Sequence, residues 1–190
     1  MPISFDLEKL RSTYGCKVYF ETGLWDPRTD SISCRKALGS GFDKVYNMEI
    51  REDWVSIGKE VFDSEIKTGR LTLINDDSNN MKKYLDKDIF TEKAIFFLDA
   101  HVDNSNIKNY INKCPLFNEL DAIRNLDRKD HIILVDDMRI IRQPFPWGET
   151  SYGNINFLET IQLMILSINP SYKFKFLDGH CKDDVLLAYL

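Results

Sequence analysis

Short apolar runs alternate with amphipathic segments along most of the chain. "KVYFETG", "KVYNMEI", "RLTLIND", "KAIFFLDAH" and "HIILVDD" are rich in β-branched and aromatic residues and read as strands. "KAIFFLDAH" is apolar enough to be buried on both faces. Helical patterns lie around them. "SFDLEKLRSTYG" has Phe5, Leu7, Leu10 and Tyr14 as its apolar set, with Asp6 and Glu8 in a first turn where acids suit the helix dipole. "SISCRKALGSGF" closes at Gly39 or Gly41. "REDWVSIGKEVFDSEIKTG" reads as one helix with Trp54, Ile57, Val61 and Phe62 on a face, followed by Gly69. "MKKYLDKDIF" reads as a short helix, and "CPLFNELDAIRNL" as a helix with Pro115 in its first turn. "MRIIRQPFPWGETSYGN", with its prolines and glycines, reads as a loop. "INFLETIQLMILSIN" is a strongly apolar helix stopped by Pro170. "YKFKFLDG" and "DVLLAYL" are strands too close in sequence for a crossover helix, so they pair antiparallel.

Repeated strand–helix alternation closed by a hairpin predicts an α/β fold: a mostly parallel sheet with helices on both faces. Ligands of such sheets bind beyond the carboxyl ends of the strands. Every one of those ends carries an acid. They are Glu21 in "FETG", Glu49 in "NMEI", Asp76 and Asp77 in "INDDS", Asp99 in "FLDAH", and Asp136 and Asp137 in "LVDDM". One acid after a strand is ordinary, because loops are polar and helix caps favour Asp. Five strands in succession ending this way point to a site.

Composition narrows the partners. The chain of 190 residues reads as a single domain, 1–190, with 1–16 as a helical lead-in; it is either whole or one domain of a larger polypeptide. A net charge of −5 argues against nucleic acid and against an anionic membrane as the main partner. Cys16, Cys34, Cys114 and Cys181 are far apart and form no CxxC pair, so neither a zinc site nor a disulfide framework is expected. The segment "MPISFDLEKLRSTYG" has no apolar leader, and no run reaches membrane-spanning length. These features lead to the expectation of a reducing, cytoplasmic setting without membrane insertion.

The strand ends also constrain the ligand. Gly23 permits a tight turn and close approach of a ligand. Glu49 lies 28 residues beyond Glu21 (49 − 21), a spacing suited to accepting hydrogen bonds from ribose hydroxyls. Asp76 and Asp77 are placed to receive an amino group such as that of adenine. Neither GxxxxGK[ST] nor GxGxxG occurs, and "ETGLWDPRTDSIS" has a single glycine, so a diphosphate ligand is disfavoured. A ligand combining adenosine with a cationic centre tolerates these carboxylates, and S-adenosylmethionine is such a ligand.

From Lys17 to Leu190 the sequence resembles the class I S-adenosylmethionine-dependent methyltransferases. "VYFETG" is similar to the family's first motif, beside the methionine part of the cofactor, and "VYNMEI" to its ribose-binding motif. "LINDDS" is similar to its adenine-contacting motif, and "FFLDAH" sits where its fourth motif sits. The resemblance implies a Rossmann-like seven-stranded sheet in the order 3-2-1-4-5-7-6, with strand 7 antiparallel. It also implies cofactor contacts from Glu21, Thr22, Gly23, Ser31, Glu49, Asp76, Asp77, Ser78 and Asp99. The chain departs from the family in its first loop, where Trp25, Asp26, Pro27 and Arg28 stand in the place of further glycines. "LDAHVD" replaces the "[DNS]PP[YFW]" of base methylation. An acid after strand four with "DD" after strand five is similar to the metal-dependent sugar O-methyltransferases. That likeness implies Asp99, Asp136 and Asp137 as Mg²⁺ ligands and a sugar hydroxyl of a glycan or glycoside as acceptor, a deoxysugar such as rhamnose among them.

A hydroxyl is a poor nucleophile and needs a general base or a metal. Two arrangements stay open. In one, the three acids hold Mg²⁺, and His101 or a carboxylate takes the proton; in the other, no metal is used. Asp99, His101 and Asp137 are the catalytic candidates, with Asp137 expected to face the cleft because it lies further past the strand. Arg139, Trp147 and Tyr152 are candidates for acceptor binding, in a region that also holds Arg142 and Phe145. His131 is expected to be structural and His180 solvated. The apolar helix from Phe157 to Ile168 is expected in the core, with a subunit contact, and hence a homodimer, as the lesser option. Competing readings are another acceptor (a small phenol, a protein or RNA) and a non-catalytic methyltransferase-like binding domain, the latter motivated by the glycine-poor first loop.

Overall fold

A computed structural model describes residues 3–29, 32–85, 89–100, 114–142 and 156–190. Seven strands form one sheet: β1 Val18–Thr22, β2 Lys44–Glu49, β3 Leu71–Asn75, β4 Ala94–Leu98, β5 Ile132–Val135, β6 Lys173–Leu177 and β7 Val185–Tyr189. Their order is β3-β2-β1-β4-β5-β7-β6, as expected. β1 to β5 run parallel, and β7 runs antiparallel between β5 and β6.

Successive strand residues feed two different cores, because side chains alternate across a sheet. Phe20, Phe96 and Ile133 face α5 (Leu116–Arg124) and α7 (Phe157–Ile168), which contribute Leu120, Ile123, Ile161 and Ile165. Tyr19, Phe97 and Leu134 face α1 (Leu7–Tyr14) and α2 (Ser33–Gly39), which contribute Leu7, Ala37 and Leu38. Strands β1, β4 and β5 are buried along their whole length. Each large apolar side chain taken fully out of water contributes about 1.5–3 kcal/mol. The middle of the sheet is therefore the rigid floor that carries the strand-end acids.

The helix ends follow local chemistry. Asp6 caps α1 by accepting from Lys9 N at 2.8 Å, so it lies just outside the first turn. Gly15 closes α1 in the left-handed region, letting Cys16 N reach Arg11 O at 2.9 Å. His131 is structural, as expected: its buried ring accepts from Ala94 N at 3.1 Å, and its carbonyl accepts from the Tyr172 hydroxyl. Burial holds its pKa down at about 4, against the pull of Asp130. His180 is exposed. In α7, Phe157, Ile161, Ile165 and Ile168 are buried, while Leu163 is exposed. Among the described residues no helix is long and apolar enough to cross a membrane.

Three segments differ from expectation. The helix expected over 51–69 breaks at Phe62 into α3 (Glu52–Val61) and α4 (Asp63–Lys67). Its buried face is Val55, Gly58 and Phe62, and Val61 is exposed. Gly58 explains the rotation: a Cβ there would lie 2.9 Å from Leu73 Cδ1, so the glycine is where the helix touches the sheet. Among its described residues, "MKKYLDKDIF" forms no α-helix. Tight 3-10 turns occupy Ser78–Lys83 and Ile89–Thr91, the first capped by Asp77 accepting from Asn79 N at 2.9 Å. The loop expected after β5 opens with a helical turn, α6 (Met138–Ile141), because Met138 and Ile141 are buried.

Candidate active site

The acids gather at the carboxyl edge of the sheet, and the turn after β1 sits at its centre. Gly23 has φ +92°, and a Cβ on it would lie 2.8 Å from Asp99 O. The glycine is required by the close approach of β4's end. Asp99 N donates to Thr22 O at 3.1 Å and lies 3.2 Å from Thr22 Oγ1. Glu49 latches the same turn from the end of β2. One carboxylate oxygen accepts from Leu24 N at 2.8 Å and Trp25 N at 3.4 Å, and the other accepts from Arg51 N at 2.9 Å. Trp25 follows in the left-handed region and stays half exposed, packed on Trp54, which Arg51 covers at 3.8 Å.

Glu21 is fully buried beneath the start of α2. Ser33 Oγ donates to one carboxylate oxygen and Asn47 Nδ2 to the other, the latter at 2.9 Å. Burial raises its pKa to about 7, against the effect of these two donors. At the end of β3, Asp76 accepts from Tyr84 Oη at 2.7 Å and Asn80 Nδ2 at 2.9 Å, and these bonds hold its carboxyl below the usual range. Asp77 is spent on the cap, and Ser78 is buried behind it. Both acids thus organise the 3-10 turn after β3.

Asp99 and Asp136 end adjacent strands, since Leu98 pairs with Val135 and Asp136 N donates to Leu98 O at 3.1 Å. Burial, then the nearby Asp137 and Glu21 carboxylates, raise the Asp99 pKa to about 7. Burial, then Asp99 and Asp137, raise Asp136 to about 8. Asp137 is in the left-handed region with φ +62° and is buried. Its carboxylate pairs with Arg139, which also pairs with Asp184 at the start of β7. Asp137, expected to face the cleft, is thus buried against Arg139, and Arg139, a candidate for acceptor binding, is held by two carboxylates with part of its side chain exposed.

The carboxylates of Asp136, Asp137 and Asp184 lie within 4.8 Å of one another, whereas the expected Mg²⁺ set was Asp99, Asp136 and Asp137. The arrangement fits a divalent cation poorly, because the Arg139 guanidinium already pairs with two of the three converging acids. Ser31, His101, Trp147 and Tyr152, with Phe145, lie outside the described residues.

Sequence reasoning missed Asp184, Glu119, Ser33 and Asn47. The signal for Asp184 was topological. β7 is antiparallel to β5, so the residue just before β7 falls beside the residues just after β5. The pair Val135–Leu186, carried two residues on, sets Asp137 opposite Asp184. Glu119 of α5 is fully buried and reaches toward the Thr22 and Ser78 hydroxyls without a well-formed hydrogen bond. Burial lifts its pKa to about 7.

No family model matches the chain, and no curated protein matches it. Solved structures do. The O-methyltransferase from Bacillus cereus, in complex with S-adenosylhomocysteine, is 16% identical with a TM-score of 0.56, the alignment covering 97% of this chain and 78% of that one. The O-methyltransferase TomG from Streptomyces achromogenes, involved in tomaymycin synthesis and solved with S-adenosylmethionine, is 11% identical with a TM-score of 0.57, covering 97% and 77%. At this identity the likeness defines the fold. It is the Rossmann-like class I methyltransferase fold, with its antiparallel seventh strand.

Proposed function

We propose that this chain is an S-adenosylmethionine-dependent O-methyltransferase acting on a sugar hydroxyl of a glycan or glycoside. The observation that carries the reading is the pairing of Asp99 and Asp136 at adjacent strand ends, beside the Gly23 turn that Glu49 holds in place. Neighbours of the same fold crystallised with S-adenosylhomocysteine or S-adenosylmethionine support the cofactor.

In this reading the Gly23–Trp25 turn cradles the methionine part, Glu49 receives the ribose, and Asp76, Asp77 and Ser78 border the adenine. Glu21 acts from beneath, fixing α2 through Ser33 and β2 through Asn47. The acceptor oxygen attacks the methyl carbon opposite sulfur. The C–O bond forms as the C–S bond breaks, and its electron pair passes to sulfur, which becomes a neutral thioether. The hydroxyl proton passes to a carboxylate. Asp99, raised to about 7, is matched to that task near neutrality. By sequence, His101 is the alternative base, and Trp147 and Tyr152 are the candidates for stacking on a sugar ring. No step is routed through Mg²⁺, because Arg139 already pairs with Asp137 and Asp184, two of the three converging acids. Activity in excess EDTA is therefore expected to match activity without it.

A panel of deoxysugars, glycosides and small phenols, assayed with methyl-labelled cofactor, tests the acceptor. Methyl transfer to phenols alone would replace the sugar reading with that of a phenol O-methyltransferase. Binding of S-adenosylhomocysteine without transfer to any acceptor would favour the non-catalytic reading.

A further inference from the structure

We propose that Arg139 is a built-in cation of this site, a positioning residue whose guanidinium takes the place that a divalent metal would otherwise hold among Asp136, Asp137 and Asp184. The proposal rests on the methyl-transfer reading for its purpose, but its geometry stands apart from it.

The register of β5 and β7 brings Asp184 opposite Asp137. The chain then reverses through Asp137 in the left-handed region and enters α6, which returns Arg139 to the same point. Arg139 is tied there three ways. Its backbone N donates to Asp184 Oδ1 at 2.9 Å, and its two terminal nitrogens pair with Asp184 and Asp137. The preceding Met138 N donates to Asp184 O at 2.8 Å, so the turn and the hairpin are locked together. Asp184 is fully buried and Asp137 nearly so, which leaves little room for water to screen their charges.

Three carboxylates this close repel one another unless a proton or a positive charge sits among them, and the buried Asp137 and Asp184 both face the Arg139 guanidinium. A guanidinium suits the task. It is charged at every relevant pH, and its planar fork binds two carboxylates at fixed angles. The Arg139 side chain keeps 28% of its surface exposed, against 2% for Asp137 and 0% for Asp184, so the cation is the solvent-facing member of the cluster.

The prediction is an exchange of cations. Wild-type protein, titrated calorimetrically with Mn²⁺, is expected to bind it weakly. Arg139→Ala empties the place among three oxygen donors, a set suited to a hard divalent ion. It is expected to bind Mn²⁺ at least about tenfold more tightly. Arg139→Ala combined with Asp184→Asn is expected to lose that gain. Arg139→Lys, which keeps the charge but not the fork, is expected to bind Mn²⁺ more weakly than Arg139→Ala. Should Arg139→Ala fail to fold by circular dichroism, Arg139→Gln, closer in shape and neutral, takes its place with the same expectation. Wild type binding Mn²⁺ as tightly as the neutral variant, or a folded neutral variant with no gain, would overturn the proposal. Binding of S-adenosylhomocysteine to wild type, measured in parallel, tests the methyl-transfer reading separately.

Discussion

Glu49, at the end of β2, accepts a hydrogen bond from Leu24 N at 2.8 Å, so the acid expected to meet the ribose also shapes the turn after β1. The same carboxylate accepts from Trp25 N and Arg51 N, and the residue is buried. Hydrogen bonds to a charged group contribute about 1.5–3 kcal/mol each. Glu49→Ala removes the carboxylate that holds the Leu24 and Trp25 backbone. Affinity for S-adenosylhomocysteine is expected to fall by roughly 10- to 100-fold by calorimetry, with Glu49→Gln losing less.

Gly23→Ala meets two obstacles. Its backbone is in a region that costs an L-residue about 1–2 kcal/mol, and the new methyl would press on the Asp99 carbonyl. Both act on the native state. The thermal midpoint is expected to drop by roughly 5–10 °C. An unchanged midpoint would show that the turn relaxes freely away from β4.

The rate should report Asp99. A general base must be ionised to accept a proton, and Asp99 ionises near 7. kcat is expected to rise with pH up to about 7 and then level off. Because Asp99 and Asp136 interact, the limb belongs to the pair. Asp99→Asn is expected to lower kcat by about 10²–10⁴ and flatten that limb.

Glu119 predicts a pH-dependent stability. Its folded pKa of about 7 lies above the ordinary 4.5. Between these values the unfolded chain has lost the proton while the folded chain keeps it. Stability therefore declines as pH rises through this window and the decline stops above about 7. Glu119→Gln removes this contribution. Relative to wild type, the variant is expected to gain roughly 1–3 kcal/mol between acid and mildly alkaline pH, read from urea midpoints. A constant difference across the range would contradict a neutral buried carboxyl.

Much of the sheet was legible before the structure, because buried parallel strands are written as apolar runs and the acids after them mark the ligand edge. The runs "KAIFFLDAH" and "HIILVDD" contain β4, AIFFL, and β5, IILV. Distant contacts were harder to read. Asp184 opens the strand "DVLLAYL" with no local mark of a site, and only the antiparallel pairing sets it against Asp137. Ser33 and Asn47 carry no local pattern, yet their hydrogen bonds partly offset the burial of Glu21. The break at Phe62 and the inward turn of Gly58 depend on how closely α3 approaches β3, which periodicity does not encode. The carboxylate triad was read from neighbouring strand ends alone, and so it named Asp99 where the converging set holds Asp184.

The most direct test of the whole account is calorimetric titration of S-adenosylhomocysteine into the intact chain. One saturable site per chain, weakened by Glu49→Ala, is the predicted result. No binding of S-adenosylhomocysteine or S-adenosylmethionine by correctly folded protein would contradict it.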